Sequence, residues 1–243
     1  MDTKFYGAGL PRADTAELPG HLIVVEGADG VGRSTHIELL QGWLEGHGFA
    51  VATTGLTRSA LTAKGIEDAK EGHNFDRTTM SLFYATDLAD RIENEIVPAL
   101  RSGFVVLADR YVFTMMARGA ARGLNRDWLA HLYGFALVPE RVFFLRVDPD
   151  DLIRRTLRRG GELDYWESGR DIGLAPDLYS SFRKYQALLL AEFDSMSPTY
   201  GFTTIDASRE VEEVQAGLRR ELALMLDPSL FQPMGDGTPD AAD

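Results

Sequence analysis

The stretch HLIVVEGADGVGRST, residues 21–35, decides the fold. Leu22, Ile23, Val24 and Val25 form an apolar run with no polar break, the pattern of a strand covered on both faces in a parallel sheet. The run closes in Gly27-Ala28-Asp29-Gly30-Val31-Gly32-Arg33-Ser34-Thr35, after which Ile37, Leu40 and Leu44 recur at helical spacing. Strand, glycine turn and helix in immediate succession are the setting that a phosphate-binding loop requires. Gly27, Gly30 and Gly32 let the backbone turn tightly and aim its N–H groups at anionic oxygens, and the helix start adds positive potential. The alternative is a glycine turn that only closes a strand–helix corner.

The pattern G-x-x-x-x-G-K-[ST] is met at every fixed position but one, because Arg33 stands where lysine is expected. Arginine keeps the charge as a longer planar fork, and is expected to contact the β- and γ-phosphates of a nucleotide.

The 243 residues fit one α/β domain, or at most two small ones. Hydrophobic content of 44% and charged content of 26% are ordinary for a globular protein. A formal charge of -12 argues against a nucleic-acid polymer or an anionic membrane as partner, while leaving room for a local basic site. With no cysteine, disulfide and thiolate chemistry are excluded. The N-terminus has no basic stretch leading into an apolar one, and no apolar run has the length of a membrane span, so a cytoplasmic protein is expected.

Residues 1–20 read as a flexible lead-in and 227–243, rich in Pro, Gly and Asp, as a disordered tail, with one domain over 21–226. Further strands are expected at Phe49–Thr54, Phe104–Ala108, Val142–Val147 and Phe202–Ile205. A short helix is expected near Leu61–Lys70 and a long one over Arg77–Arg101, with Leu82, Ala85, Ala89, Ile92, Ile96 and Leu100 facing inward. Val112–Arg122 and Arg126–Val138 read as helices, and Asp148-Pro149-Asp150-Asp151 as a helix start. Gly160–Ala175 reads as loop, and Pro176–Ser195 and Glu210–Leu226 as helices with inward stripes that include Leu178 and Val211. Alternation of strand and helix argues for a doubly wound sheet, with ligands beyond the carboxyl ends of its strands.

Phosphoryl transfer needs a phosphate cradle, Mg²⁺ and cations around the moving group. Residues 27–35 supply the cradle, and Ser34 can offer its hydroxyl to the metal. Asp109 ends an apolar strand, where a carboxylate can hold the metal through water; the alternative is a cap or a partner for Arg110. Arg110 can grip an acceptor phosphate bidentately or form a surface ion pair. Asp29 can orient the acceptor or its arginine, or serve only the turn. Arg154, Arg155, Arg158 and Arg159 precede the 160–175 loop and can close over ATP, with Arg155, Arg158 and Arg159 nearest; otherwise they compensate a helix dipole. The five histidines have no metal-ligand spacing, and the glycine spacing is not that of a dinucleotide site.

Over roughly Leu22–Leu226 the chain resembles the thymidylate kinase family, on the strength of GADGVGRST, DRY at 109–111, GELDYWE at 161–167 and IDASREVEEV at 205–214. The resemblance implies a P-loop NTPase fold with a five-stranded parallel sheet between helices, in three layers α/β/α. It also implies a homodimer packed through helices, ATP with Mg²⁺, and transfer of the γ-phosphate to dTMP. By position, Asp29, Arg110 and Tyr111 of the DRY motif would serve the acceptor, Tyr84 would stack on the base, and 154–175 with Trp166 would be the lid. The acceptor pocket departs from the family: Leu88 stands at the place of a base-reading arginine, and Ala117-Arg118 at that of Tyr-Gln. The Arg-Glu-Pro expected after the second strand is Thr54-Gly55-Leu56, and Asp164-Tyr165 replaces an Asp-Arg in the lid. Arg58 follows further on as a candidate for the acceptor, and Arg91 or Arg118 is the cation expected to compensate. A kinase of the same fold for another acceptor, or a nucleotide-binding module with weak transfer because of Arg33, are the competing readings.

Overall fold

The structure is a computed structural model that describes residues 4–11, 15, 17–72, 76–158, 163–226 and 231, without the side chains of 72 and 156–158. Five parallel strands lie in the order β2 (Val51–Gly55), β3 (Val105–Asp109), β1 (His21–Gly27), β4 (Arg141–Arg146), β5 (Thr203–Asp206). Registers Ile23↔Leu107 and Val25↔Phe143 place the carboxyl ends of β1, β3 and β4 side by side.

Alternating side chains leave a strand on opposite faces, so the sheet builds two cores. Leu22, Val24, Val106, Ala108 and Phe144 pack with α3 (Arg77–Arg91), α5 (Val112–Ala121) and α8 (Leu178–Tyr200). Ile23, Val25, Leu107, Phe143 and Leu145 pack with α1 (Arg33–Gly46), α7 (Pro149–Arg158) and α9 (Val211–Met225). That is the three-layer α/β/α arrangement expected. The remaining helices are α2 (Ala63–Gly72), α4 (Val97–Arg101) and α6 (Arg126–Leu132).

The helix over 77–101 is continuous but changes winding. α3 passes through a π turn at Ile92–Ile96 into α4, with Pro98 near the α4 start. Its buried face also differs from the expected stripe. Ala85, Ile92, Ile96 and Leu100 are buried as expected, but Leu82 is exposed, and Ser81, Tyr84, Leu88 and Arg91 also point inward. Leu178 and Val211, expected inward, are likewise exposed at the first turns of their helices.

The helix expected over 126–138 stops at Leu132, because residues 4–6 pair with residues 136–138. Val138 N–H donates to Lys4 O at 2.9 Å, Tyr6 N–H to Ala136 O at 3.0 Å, and Phe5 bridges Leu137. The Tyr6 ring meets Phe113 and Tyr200 edge-on. Part of the expected lead-in is therefore docked on the core. The 227–243 tail lies outside the described residues apart from Phe231, which stacks on Trp43 at 4.7 Å.

Candidate functional site

β1 delivers the glycine loop to the carboxyl edge of the sheet. Gly27 (φ 149°) and Gly32 (φ 103°) hold backbone conformations that L side chains rarely adopt, and a Cβ on Gly27 would sit 2.7 Å from Leu145 O. α1 then starts at Arg33, its N–H groups opening onto the loop.

The Arg33 side chain lies under this loop. Its Nε donates to Asp109 at 2.8 Å, and Nη1 donates to Gly27 O at 2.6 Å and to Ala28 O. Ser34 Oγ donates to the other oxygen of Asp109 at 3.0 Å. Burial alone would raise the Asp109 carboxyl, but the charge and hydrogen bond of Arg33 hold it below the usual range.

A second cluster adjoins the first. Asp29 accepts from Arg110, and from Arg118 Nη2 at 3.0 and 3.2 Å. Against burial, Arg110, Arg118 and Arg33 hold the Asp29 carboxyl well below the ordinary range. Burial and Arg33 lower the guanidinium of Arg110 to about 10. Arg110 has φ 70°, and its buried Nε has no hydrogen-bond partner among the described residues. Three guanidiniums thus share two carboxylates, and the excess positive charge suits an anion.

The turn that carries Arg110 is held from below by Glu26, whose side chain is fully buried in β1. Glu26 accepts from Tyr111 N–H at 2.8 Å, Thr114 N–H at 3.2 Å and Thr114 Oγ1 at 2.5 Å. One carboxylate thereby fixes both the DRY turn and the start of α5.

Beyond Arg118 the site opens into a cleft of about 420 Å³ lined by Arg110, Arg118, Trp166 and Glu167. A neighbouring pocket continues from it, walled by Tyr84, Ser81, Met80, Met115 and Arg122. Trp166 and Arg118 line both. The Trp166 indole N–H donates to Lys70 O at 3.1 Å, tying residues 163–175 to α2. Arg122 ties the same segment to α5: it bonds Asp171 at 2.7 and 3.1 Å and Trp166 O at 3.1 Å, with its guanidinium 4.8 Å from the Tyr185 ring centre.

The structure brings together most of the residues expected to serve the site. Asp29, Arg33, Ser34, Asp109, Arg110 and Arg118 form one connected network, and Tyr84 and Trp166 wall the adjoining pocket. Arg155 donates to Ala207 O at 2.6 Å and approaches Val31 O, placing it beside the glycine loop. Arg58 is exposed, its guanidinium against Gly55 at the end of β2. The side chain of Arg158 and all of Arg159 lie outside the described residues.

Two of the expected site residues lie in the interior, apart from the network. Arg91 is fully buried, bonding Asp87 at 2.9 Å and Thr54 at 3.0 Å, while its Nη2 has no hydrogen-bond partner among the described residues. Asp87 also accepts from Thr57 N–H and Ser59 N–H, each at 3.1 Å, so the pair anchors the loop after β2. Tyr111 is fully buried as well, donating to Leu137 O at 3.2 Å on the core side of β3.

The sequence reading passes over Glu26, Lys70, Arg122 and Glu167. Lys70 sits among Glu67 and Glu71, the pattern of a solvated helix face, and Glu167 is one acid in a loop. Only Glu26, an acid inside an apolar strand, carried a signal that could have been used.

Burial, and then the charge of Asp29, push the Glu167 carboxyl up to about 7. A carboxyl raised this way favours the folded state fully below its unfolded value, and that contribution is lost as pH rises through about 7. In the cleft the same titration places a negative charge beside the anion site. The KM for a phosphorylated acceptor should therefore rise a few-fold between about pH 6 and 8 in excess of the acceptor's own titration. Glu167→Gln should remove that excess; parallel pH profiles for the two proteins would rule out the assignment.

The thymidylate kinase family model matches residues 25–218. A probable thymidylate kinase 2 of Saccharolobus solfataricus is 37% identical over 214 residues, covering 88% of this chain and all of the relative. A thymidylate kinase of Clavibacter michiganensis is 33% identical over 83% of this chain and 94% of its own length. A probable thymidylate kinase of Pyrobaculum aerophilum is 30% identical over 80% of this chain and 92% of its own. With a glycine loop, a guanidinium cluster and an aromatic-walled pocket all at one sheet edge, the chain belongs to the thymidylate kinase family of ATP-dependent phosphotransferases.

Proposed function

We propose that the protein transfers the γ-phosphate of ATP to the 5′-phosphate of dTMP, giving ADP and dTDP. The observation that carries this reading is the joined site, in which Asp29 holds Arg110 and Arg118 between the glycine loop and a pocket walled by Tyr84. The loop N–H groups receive the donor phosphates. Arg110 and Arg118 turn from Asp29 to the acceptor phosphate, whose oxygen attacks the γ-phosphorus in line while the bond to the ADP oxygen breaks. Asp29 keeps both guanidiniums oriented until the acceptor arrives. Arg33, released from Asp109, reaches toward the β- and γ-phosphates, and Arg155 closes from α7 as part of a lid over 154–175.

The Ser34 hydroxyl and the Asp109 carboxylate, 3.0 Å apart, are hard oxygen donors that suit Mg²⁺. When bound, the ion would neutralise charge on the donor phosphates. The same reading makes the protein a cytoplasmic homodimer.

Initial rates with ATP, Mg²⁺ and a panel of nucleoside monophosphates test the assignment. dTMP should lead the panel by at least about tenfold in kcat/KM, a margin that buried recognition of a base readily supplies. Another acceptor in first place would overturn it. Tyr84, only 7% exposed, lines the pocket where it would stack on the base. Tyr84→Ala should raise the KM for dTMP about tenfold or more, the worth of one base–aromatic stack, and leave the KM for ATP unchanged.

A further inference from the structure

The position where the family resemblance expects a base-reading arginine holds Leu88, which is fully buried in the core and contributes nothing to the pocket. The polar side chains that wall the pocket are nevertheless strongly biased toward donors: Lys70, Arg77, Arg118 and Arg122 face it, with one carboxylate, Asp171. Asp171 is taken up by two bonds from Arg122. Arg122 is further engaged by Trp166 O and Tyr185, Arg118 by Asp29, and Arg77 by Arg122 O at 2.6 Å.

Lys70 differs from these. Among the described residues its ammonium has no hydrogen bond and no carboxylate partner; it rests 5.8 Å from the centre of the Tyr84 ring. Its backbone is held in place by the Trp166 indole, and the residue lines both the cleft and the pocket. A cation seated on the face of a ring is weakly held, and a flat base stacking on that ring would displace it to the edge of the base. There it meets whatever polar atoms the base presents. An ammonium has three donors and no acceptor, so it rewards a carbonyl oxygen and penalises an amino group.

We infer that Lys70 is the specificity-determining residue for the acceptor base, donating to the C4 carbonyl of a keto pyrimidine stacked on Tyr84 and excluding a pyrimidine with an amino group at that carbon. The inference rests on the proposed function for the existence of a pyrimidine acceptor, and adds to it the atom class that is read and the residue that reads it. In this protein the reader comes from α2, whereas the resemblance places it on α3.

The test compares dTMP with dCMP in calorimetric binding without ATP and in steady-state transfer, for the natural protein, Lys70→Met and Lys70→Arg. Methionine keeps the unbranched stem and its packing and removes the donors. Lys70→Met should weaken dTMP about 10- to 100-fold, the range for a lost charged hydrogen bond, and should collapse the preference for dTMP over dCMP. The KM for ATP should not move, and Lys70→Arg should recover much of the preference. A Lys70→Met protein that keeps the natural dTMP-to-dCMP ratio overturns the inference, as does natural protein that binds the two equally or binds neither. Natural protein that prefers dTMP in binding, loses that preference in Lys70→Met, and transfers phosphate to neither nucleotide would sustain the role of Lys70 and overturn the proposed function alone.

Discussion

Arg110→Ala should lower kcat/KM for dTMP on the order of 10³-fold, the scale of a guanidinium that stabilises a transferring phosphoryl group. Arg110 is the side chain with most to gain from a bound anion. Its Nε is buried without a hydrogen-bond partner among the described residues, its neighbours Arg33 and Arg118 repel it, and its guanidinium is already lowered to about 10. An acceptor phosphate bound there would satisfy the orphaned donor and relieve the repulsion together, so binding energy would concentrate where charge moves. The backbone reinforces the placement: φ of 70° is rarely held by a non-glycine residue and aims the side chain across the loop at Asp29. Arg110→Lys should recover little, because an ammonium cannot reproduce the planar fork. Steady-state kinetics on folded variants decide the matter; a loss below tenfold would remove Arg110 from the reaction.

The second large effect is on stability. Glu26→Ala should cost about 3 kcal/mol of unfolding free energy, read by urea titration or calorimetry. The substitution leaves two buried N–H groups, of Tyr111 and Thr114, and one hydroxyl without their acceptor. Each orphaned donor costs about 1–3 kcal/mol. Part of that is offset because burial pushes the Glu26 carboxyl above its ordinary range, so the native state already bears a desolvation cost. For a chain of this size the loss corresponds to a fall of roughly 6–12 °C in Tm. Glu26→Gln, which keeps one carbonyl oxygen, should lose less. A Glu26→Ala protein as stable as the natural one would mean that water replaces the carboxylate at the start of α5.

The skeleton of the fold could be read from the chain because its signals are local. The unbroken apolar run at 22–25, the glycine spacing at 27–32 and the proline of Asp148-Pro149 each specify a conformation within a few residues, and β1, the loop and α7 lie where those signals put them. What could not be read depends on partners distant in the chain. Leu82 looks like a core residue by spacing alone, yet α3 turns its polar side inward because Asp87 and Arg91 satisfy each other there. α6 loses its last turn to residues 4–6, more than 120 positions earlier. The same division runs through the site. The loop, Asp109 and Arg110 sit at predictable strand ends, whereas Lys70, Arg122 and Glu167 acquire their roles only when α2, α5 and the 163–175 segment meet. Arg91 and Tyr111 follow the site residues closely in sequence, yet their side chains point into the core.

Leu88 closes off a simple exchange of base contacts. It is fully enclosed in the core with Ile92 and Tyr84, on the turn of α3 that also carries Asp87. A guanidinium introduced there would enter a space already filled by apolar atoms, at a cost of several kcal/mol unless the surroundings rebuilt around it. Installing an arginine reader by one substitution in α3 is thus barred by packing, and engineering of a new acceptor preference would have to begin on the opposite wall.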